Sequence, residues 1–156
     1  MDLLQETINT LSFYKILPKK HLGQNFMVNS TLLRRMISNA FITREDVVLE
    51  IGAGLGFLTC FLAQNCKRVI TVEVDPNLVK ILRKKVLNLS NVDIIEGDIL
   101  RVFIPYFNKV VSTPPYSISS PLLLWLLERR FDIAVLIFQK EFTDRLTASV
   151  GSKNYG

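Results

Sequence analysis

The sequence predicts an α/β fold built on a doubly wound, mainly parallel sheet. Three observations predict it. Apolar runs of strand length alternate with helical patterns five times along the 156 residues, the rhythm of strand–helix–strand crossovers. The run Val47-Val48-Leu49-Glu50-Ile51 is almost continuously apolar, as in a strand covered on both faces. Four strand ends carry glycine or polar chemistry, at Gly52-Ala53-Gly54-Leu55-Gly56, at Glu73, at Asp98 and at Thr113-Pro114-Pro115-Tyr116. In such sheets ligands bind beyond the carboxyl ends of the strands.

The elements follow in order. Leu3, Leu4, Ile8 and Leu11 recur at helical spacing and predict a short surface helix over residues 1–11. Lys15, Pro18, Lys19, Lys20 and His21 form a basic approach, either a solvated charge run or an arm that faces phosphates. Residues 21–29 mix amides with apolar groups and read as a loop. Asn29 or Ser30 caps the next helix. That helix turns Leu32, Leu33, Met36, Ile37, Ala40 and Phe41 inward and Arg34 and Arg35 outward. Residues 43–46 turn into the first strand, after which residues 57–63 read as a helix. Residues 69–75 form a second buried strand. Asp75 caps the following helix, with Pro76 at its first position and Leu78, Val79, Leu82 and Val86 on its inner face. Residues 92–95, 109–113 and 133–138 are the remaining strands, with helices from Ser120-Pro121 through Glu128 and over residues 141–148. Residues 150–156 are small, polar and loose.

The totals exclude several classes. Hydrophobic residues make up 49%, which argues for a packed domain rather than a disordered chain. Lys plus Arg total 19 against 14 acids, a net charge of +5 that favours an anionic partner such as nucleic acid. Cys60 and Cys66, six residues apart, suit neither zinc nor a disulfide. One histidine cannot build a histidine metal site, so no metal is expected. The best apolar run is far too short to cross a bilayer and no signal peptide opens the chain, so a reduced cytoplasm is the default.

The strand ends narrow the ligand. Gly52, Gly54 and Gly56 offer a tight turn and free N–H groups at a helix start. Phe57 stands where a dinucleotide fingerprint wants its third glycine, which counts against a nicotinamide-dependent oxidoreductase. Glu73 suits two ribose hydroxyls, and Asp98 suits an adenine amino group. Each alone would read equally well as a solvated acid at a strand end. Together they describe a site for an adenosine-bearing ligand without pyrophosphate, and S-adenosylmethionine fits. The prolines of residues 113–116 hold an extended loop whose carbonyls can accept from an exocyclic amine. Tyr116 offers a flat face for a base taken out of its stack.

Six segments then resemble a known family. They are His21-Leu22-Gly23-Gln24-Asn25-Phe26, Glu50-Ile51-Gly52-Ala53-Gly54-Leu55-Gly56, Glu73-Val74-Asp75, Glu96-Gly97-Asp98, Pro115-Tyr116-Ser117-Ile118-Ser119-Ser120-Pro121 and Phe138-Gln139-Lys140-Glu141. They are similar to the ribosomal RNA adenine N6-dimethyltransferases, above all the archaeal form that modifies the small subunit, with the erythromycin-resistance enzymes next. The resemblance runs from about residue 18 to residue 156. It implies a class I S-adenosylmethionine methyltransferase fold of Rossmann-like type over residues 21–156, behind an N-terminal helix and basic arm at 1–20. It implies two methyls placed on each of two adjacent adenosines near the 3′ end of small-subunit RNA, with the small ribosomal subunit as partner. Carried over, Gly52 lines the methionine part of the cofactor, Asn25 and Met27 contact the cofactor from above, Glu73 holds the ribose and Asp98 the adenine amine. Thr113 and Pro114 meet the target N6, and Tyr116 stacks on the target adenine.

Two departures bear on function. The family usually has asparagine where this chain has Thr113, which keeps an acceptor oxygen on a shorter, branched side chain. The family also continues past the position of Gly156 with two more strands and a small helical RNA-binding domain, so the sheet is expected to be incomplete at its C-terminal end. Residues 133–138 would then form an exposed apolar edge prone to self-association. An alternative reading is a ribosome-assembly factor that binds RNA and cofactor without methylating.

Overall fold

The computed structural model describes residues 2–19 and 22–153. Lys20 and His21 of the basic approach, and residues 154–156, lie outside the described residues. The elements are α1 (Leu3–Phe13), α2 (Ser30–Asn39), β1 (Val47–Ile51), α3 (Phe57–Ala63), β2 (Arg68–Glu73), α4 (Pro76–Lys85), β3 (Val92–Glu96), β4 (Lys109–Ser112), a 3-10 turn (Tyr116–Ile118), α5 (Ser119–Leu127), β5 (Ile133–Leu136) and α6 (Lys140–Leu146).

The five strands form one sheet in the order β3-β2-β1-β4-β5, every pair parallel. Strand side chains alternate between faces, and here both faces are covered. Val48, Val69 and Val111 pack with residues of α2, α3 and α4. Leu49, Ile70, Val72 and Val110 pack on the other face against Leu122, Trp125 and Leu126 of α5 and against Ile99 and Phe107. That double coverage is why the strands read as near-continuous apolar runs. Strand order reverses beside β1, so β1 and β4 flank the switch point where this topology opens a crevice.

The expected caps form. Asn29 accepts from the Leu32 N–H at 3.0 Å, and Asp75 accepts from the Asn77 N–H at 3.0 Å with Pro76 at the first helical position. Asp2 caps α1 in the same way. Several boundaries shift. The second strand ends at Glu73 rather than residue 75, because Asp75 turns its side chain to the α4 N-terminus and cannot also continue a strand. β4 ends at Ser112, where the proline loop begins. β5 ends at Leu136, and Phe138 instead meets Phe142 edge-on, with ring centroids 5.0 Å apart.

At the lower end of the sheet Asp46 ties four segments. Its carboxylate accepts from the Thr43 N–H at 2.7 Å and from Asn108 Nδ2 at 2.7 Å, and it pairs with the buried Lys109 ammonium at 3.0 Å. Its carbonyl accepts from the Lys67 and Arg68 N–H groups at the start of β2. Burial alone would raise the Asp46 pKa, but these donors outweigh it and hold the carboxyl at about 2, against 3.8 unperturbed. A carboxylate depressed in the folded state contributes stability above its unfolded value and loses it as pH falls toward the folded one. Asp46→Asn is therefore expected to destabilise the chain by about 2 kcal/mol near neutral pH. The deficit should shrink between pH 3.8 and about 2, read by urea denaturation across that range.

Candidate active site

The site begins with a conflict at the switch point. The β1–β4 ladder registers only Val48 with Lys109 and Leu49 with Val110. Beyond them the backbone groups of Ile51 still need partners, since buried N–H and C=O groups are rarely left unpaired. The Ser112 hydroxyl supplies both: it accepts from the Ile51 N–H at 3.1 Å and donates to the Ile51 carbonyl. β1 and β4 can thus separate above this point without orphaning their backbone.

Above the ladder three loops converge. Gly52 sits at φ 79°, and a Cβ there would lie 2.9 Å from Cδ of Pro115, so the proline loop rests directly on the glycine turn. Gly23 sits at φ 64°, and a Cβ there would lie 3.1 Å from the Tyr116 and Ser117 N–H nitrogens, so the amide-rich loop rests on the proline loop. Neighbouring strands extend the rim: the Gly52 N–H donates to the Val72 carbonyl at 2.8 Å, and the Gly97 N–H to the Glu73 carbonyl at 2.9 Å.

A cleft of about 320 Å³ opens along this rim, within the size range of small-molecule sites. Gly52, Glu73 and Asp98 line it, flanked by the apolar side chains of Val74, Ile99 and Ile118. Two smaller recesses adjoin it. One is lined by Asn25, Gly52, Glu73 and Thr113, the other by Asn25, Met27, Glu50, Gly52 and Thr113. The structure thus gathers six of the eight sequence-predicted residues on one connected surface. Pro114 is buried beneath its loop, and Tyr116 opens the 3-10 turn, half-buried, between Pro115 and Ser117, which line the cleft. Neither Pro114 nor Tyr116 lies on the walls of these cavities. Val74, Ile99 and Ile118 are lining residues that sequence reasoning missed. Nothing in the sequence separates them from core residues, apart from their place beside the acids and the proline loop.

The acids differ in state. Glu73 is buried, which raises its pKa, while its oxygens accept from the Asp75 N–H and the Gly54 N–H, each at 2.9 Å, and draw it partly back. Each oxygen keeps a further lone pair. Glu50 is 1% exposed, and burial lifts its carboxyl to about 7 despite hydrogen bonds from Thr59 and Thr71 at 2.6 and 2.7 Å. Asp98 is open to the cleft, accepts from the Leu100 N–H at 3.0 Å and faces Arg101 at 3.4 Å. Asp75 is buried but held below the usual carboxylate range, because Lys19, Gln24 and the α4 amides outweigh the cost of burial.

This sheet and its rim have the Rossmann-like fold of the class I methyltransferases. A dimethyladenosine transferase from Plasmodium falciparum superposes with TM-score 0.76 at 40% identity, over 81% of this chain and 48% of that one. The 23S rRNA methyltransferase ErmE superposes with TM-score 0.72 at 32% identity, over 79% and 51%. The chain belongs to the ribosomal RNA adenine dimethylase family, whose profile matches residues 17–156. A probable ribosomal RNA small subunit methyltransferase A from Thermococcus onnurineus is 46% identical over 151 residues, covering 97% of this chain and 55% of the relative. The chain spans about half the length of the curated relatives it matches.

Ser112→Ala removes the one group that pairs both backbone atoms of Ile51. It is expected to cost about 2–4 kcal/mol by urea denaturation, the penalty for two buried unpaired polar groups.

Proposed function

We propose that this chain carries the catalytic site of an S-adenosylmethionine-dependent N6-dimethyltransferase acting on adjacent adenosines of small-subunit ribosomal RNA. The observation that carries the reading is the convergence of the glycine turn, the acids ending β2 and following β3, and the proline loop on one cleft. The fit to an adenosine-bearing cation rests on this donor set: carboxylates with free lone pairs, apolar flanks and a glycine approach too tight for a side chain.

In this reading Glu73 accepts from the ribose hydroxyls and Asp98 from the adenine amine, with Val74 and Ile99 flanking the purine. Gly52, Asn25 and Met27 hold the methionine part. Bound S-adenosylmethionine supplies a methyl group already activated on a sulfonium. The protein's task is then placement of a poor nucleophile, because the adenine N6 lone pair is delocalised into its ring. The Thr113 hydroxyl and the Pro114 carbonyl accept from the N6 hydrogens and favour a pyramidal nitrogen whose lone pair can attack. Tyr116 stacks on the extruded base at the cleft mouth. Residues 1–20 serve as helix and arm and residues 21–156 as the cofactor-binding unit. No helix among the described residues is long and apolar enough to cross a membrane, and a cytoplasmic ribosomal partner follows from the reading.

Thr113 favours a second reading, an assembly factor that binds RNA and cofactor without methylating. Titration calorimetry and methyl incorporation separate the two. Asp98→Ala is expected to weaken S-adenosylmethionine binding about tenfold or more, the loss of a charge-assisted hydrogen bond. No binding by the unmodified chain would refute both. Binding without incorporation into small-subunit particles, restored by Thr113→Asn, would select the assembly factor.

The outer edge of β5 pairs with no described strand, and its self-association is part of the proposal. Light scattering should show mass rising with concentration; a monomer throughout would count against it.

A further inference from the structure

A second, larger concavity of about 920 Å³ lies between the segment after α1 and the outer face of α4. Lys15, Lys19, Lys80, Arg83 and Lys84 line it, and no acid does. The whole chain carries a net charge of +5, and five of its cations line this groove. Lys19 is committed to Asp75 at 2.9 Å, and Arg83 makes only a long, exposed contact of 3.8 Å with Glu96. Neither Lys15 nor Lys80 has an ion-pair partner among the described residues. Tyr14 and the exposed Leu17 add apolar surface.

Lys15 adds an independent observation. It holds φ 53° at the end of α1, where the Ile16 N–H reaches back to the Leu11 carbonyl at 2.9 Å and the Lys15 N–H to Ser12 at 3.1 Å. Where a helix closes on a left-handed residue, that residue is usually glycine. Cationic charge at a helix C-terminus is favourable, but by less than the left-handed backbone costs a residue with a Cβ. A side chain kept there against the local preference points to a use for its charge.

We propose that this groove is a track for the phosphate backbone of an RNA strand, continuous with the cleft. The inference rests on the reading of the chain as acting on RNA and adds where the strand lies. Continuity comes through Lys19: its N–H donates to Gln24 Oε1 at 2.8 Å, and Gln24, which lines the recess beside Gly52, also donates to Asp75 at 2.9 Å. A base can thus enter the cleft while its neighbouring phosphates lie along α4. Lys15, Lys80 and Lys84, which have no ion-pair partner among the described residues, complement a polyanion, and a concave track suits a strand better than a flat lipid surface.

The test uses the full chain and a fluorescently labelled RNA stem-loop with a single-stranded extension, titrated by anisotropy over a salt series. Lys15→Gly and Lys80→Ala should each weaken binding and reduce the log–log salt slope by about 1. Lys15→Gly should also raise the melting temperature, so that weaker binding cannot be assigned to misfolding. The double variant should bind S-adenosylmethionine like the unmodified chain. Unchanged RNA affinity and slope in the double variant would overturn the proposal. So would unchanged RNA binding accompanied by lost binding to phosphatidylglycerol vesicles, which would assign the groove to lipid. If the unmodified chain takes no cofactor while the variants still lose RNA, the groove stands and the methyl-transfer reading falls.

Discussion

A parallel sheet that must hold a ligand faces one constraint above others: two central strands have to part, yet their buried backbone groups must stay paired. Here the Ser112 hydroxyl meets it by taking over both backbone groups of Ile51 where the β1–β4 ladder stops. Everything at the rim depends on that parting. The glycine turn leaves β1 into the space it opens, the proline loop leaves β4 on the other side, and the two meet through Gly52 and Pro115. β2 supplies the anchorage. Its last residues accept from Gly52 and Gly97 through their carbonyls, and from Gly54 and Asp75 through the Glu73 carboxylate.

Three buried acids crowd the ends of β1 and β2, and each is accommodated by a different route. Burial lifts the Glu50 carboxyl well above the usual carboxylate range, and the neighbouring Glu73 pushes it the same way. Glu73 is held by two backbone N–H groups. Asp75 is held by Lys19, Gln24 and a helix N-terminus. Were all three ionised without such partners, their repulsion in this poorly solvated region would be large. Phe57, standing where a dinucleotide fingerprint wants its third glycine, is what separates this rim from the dinucleotide-binding version of the same topology.

Much of this was legible in the sequence because it rests on local rules. Period, caps and the proline at the start of α4 located the five strands and the six α-helices among the described residues, and the positions of Gly52, Glu73, Asp98 and Thr113 at strand ends followed from them. What escaped depends on contacts between distant segments. Ser112 reads as an ordinary polar residue in a strand, and only its position opposite Ile51 gives it a task. Val74, Ile99 and Ile118 look like core residues until the topology puts them around one cavity. Asp75 ends the second run and caps the next helix in the sequence, and the geometry lets it do only the second. Tyr116 was placed by its neighbours. It opens the 3-10 turn and is not among the residues that line the cleft, although its neighbours Pro115 and Ser117 are.

Among the described residues, the two non-glycine residues with left-handed backbone, Lys15 and Phe41, end α1 and α2 in the same hydrogen-bonded closure. Equal strain has unequal explanations. At Phe41 the carbonyl accepts from the buried Lys109 ammonium, which also pairs with Asp46, so the backbone there is fastened by the network at the base of the sheet. The fold itself accounts for that strain. At Lys15 no such buried contact is found among the described residues, and the side chain opens on the groove beside α4. The strain at Lys15 is thus left without a compensating contact among the described residues, and what the groove binds is the place to look for one.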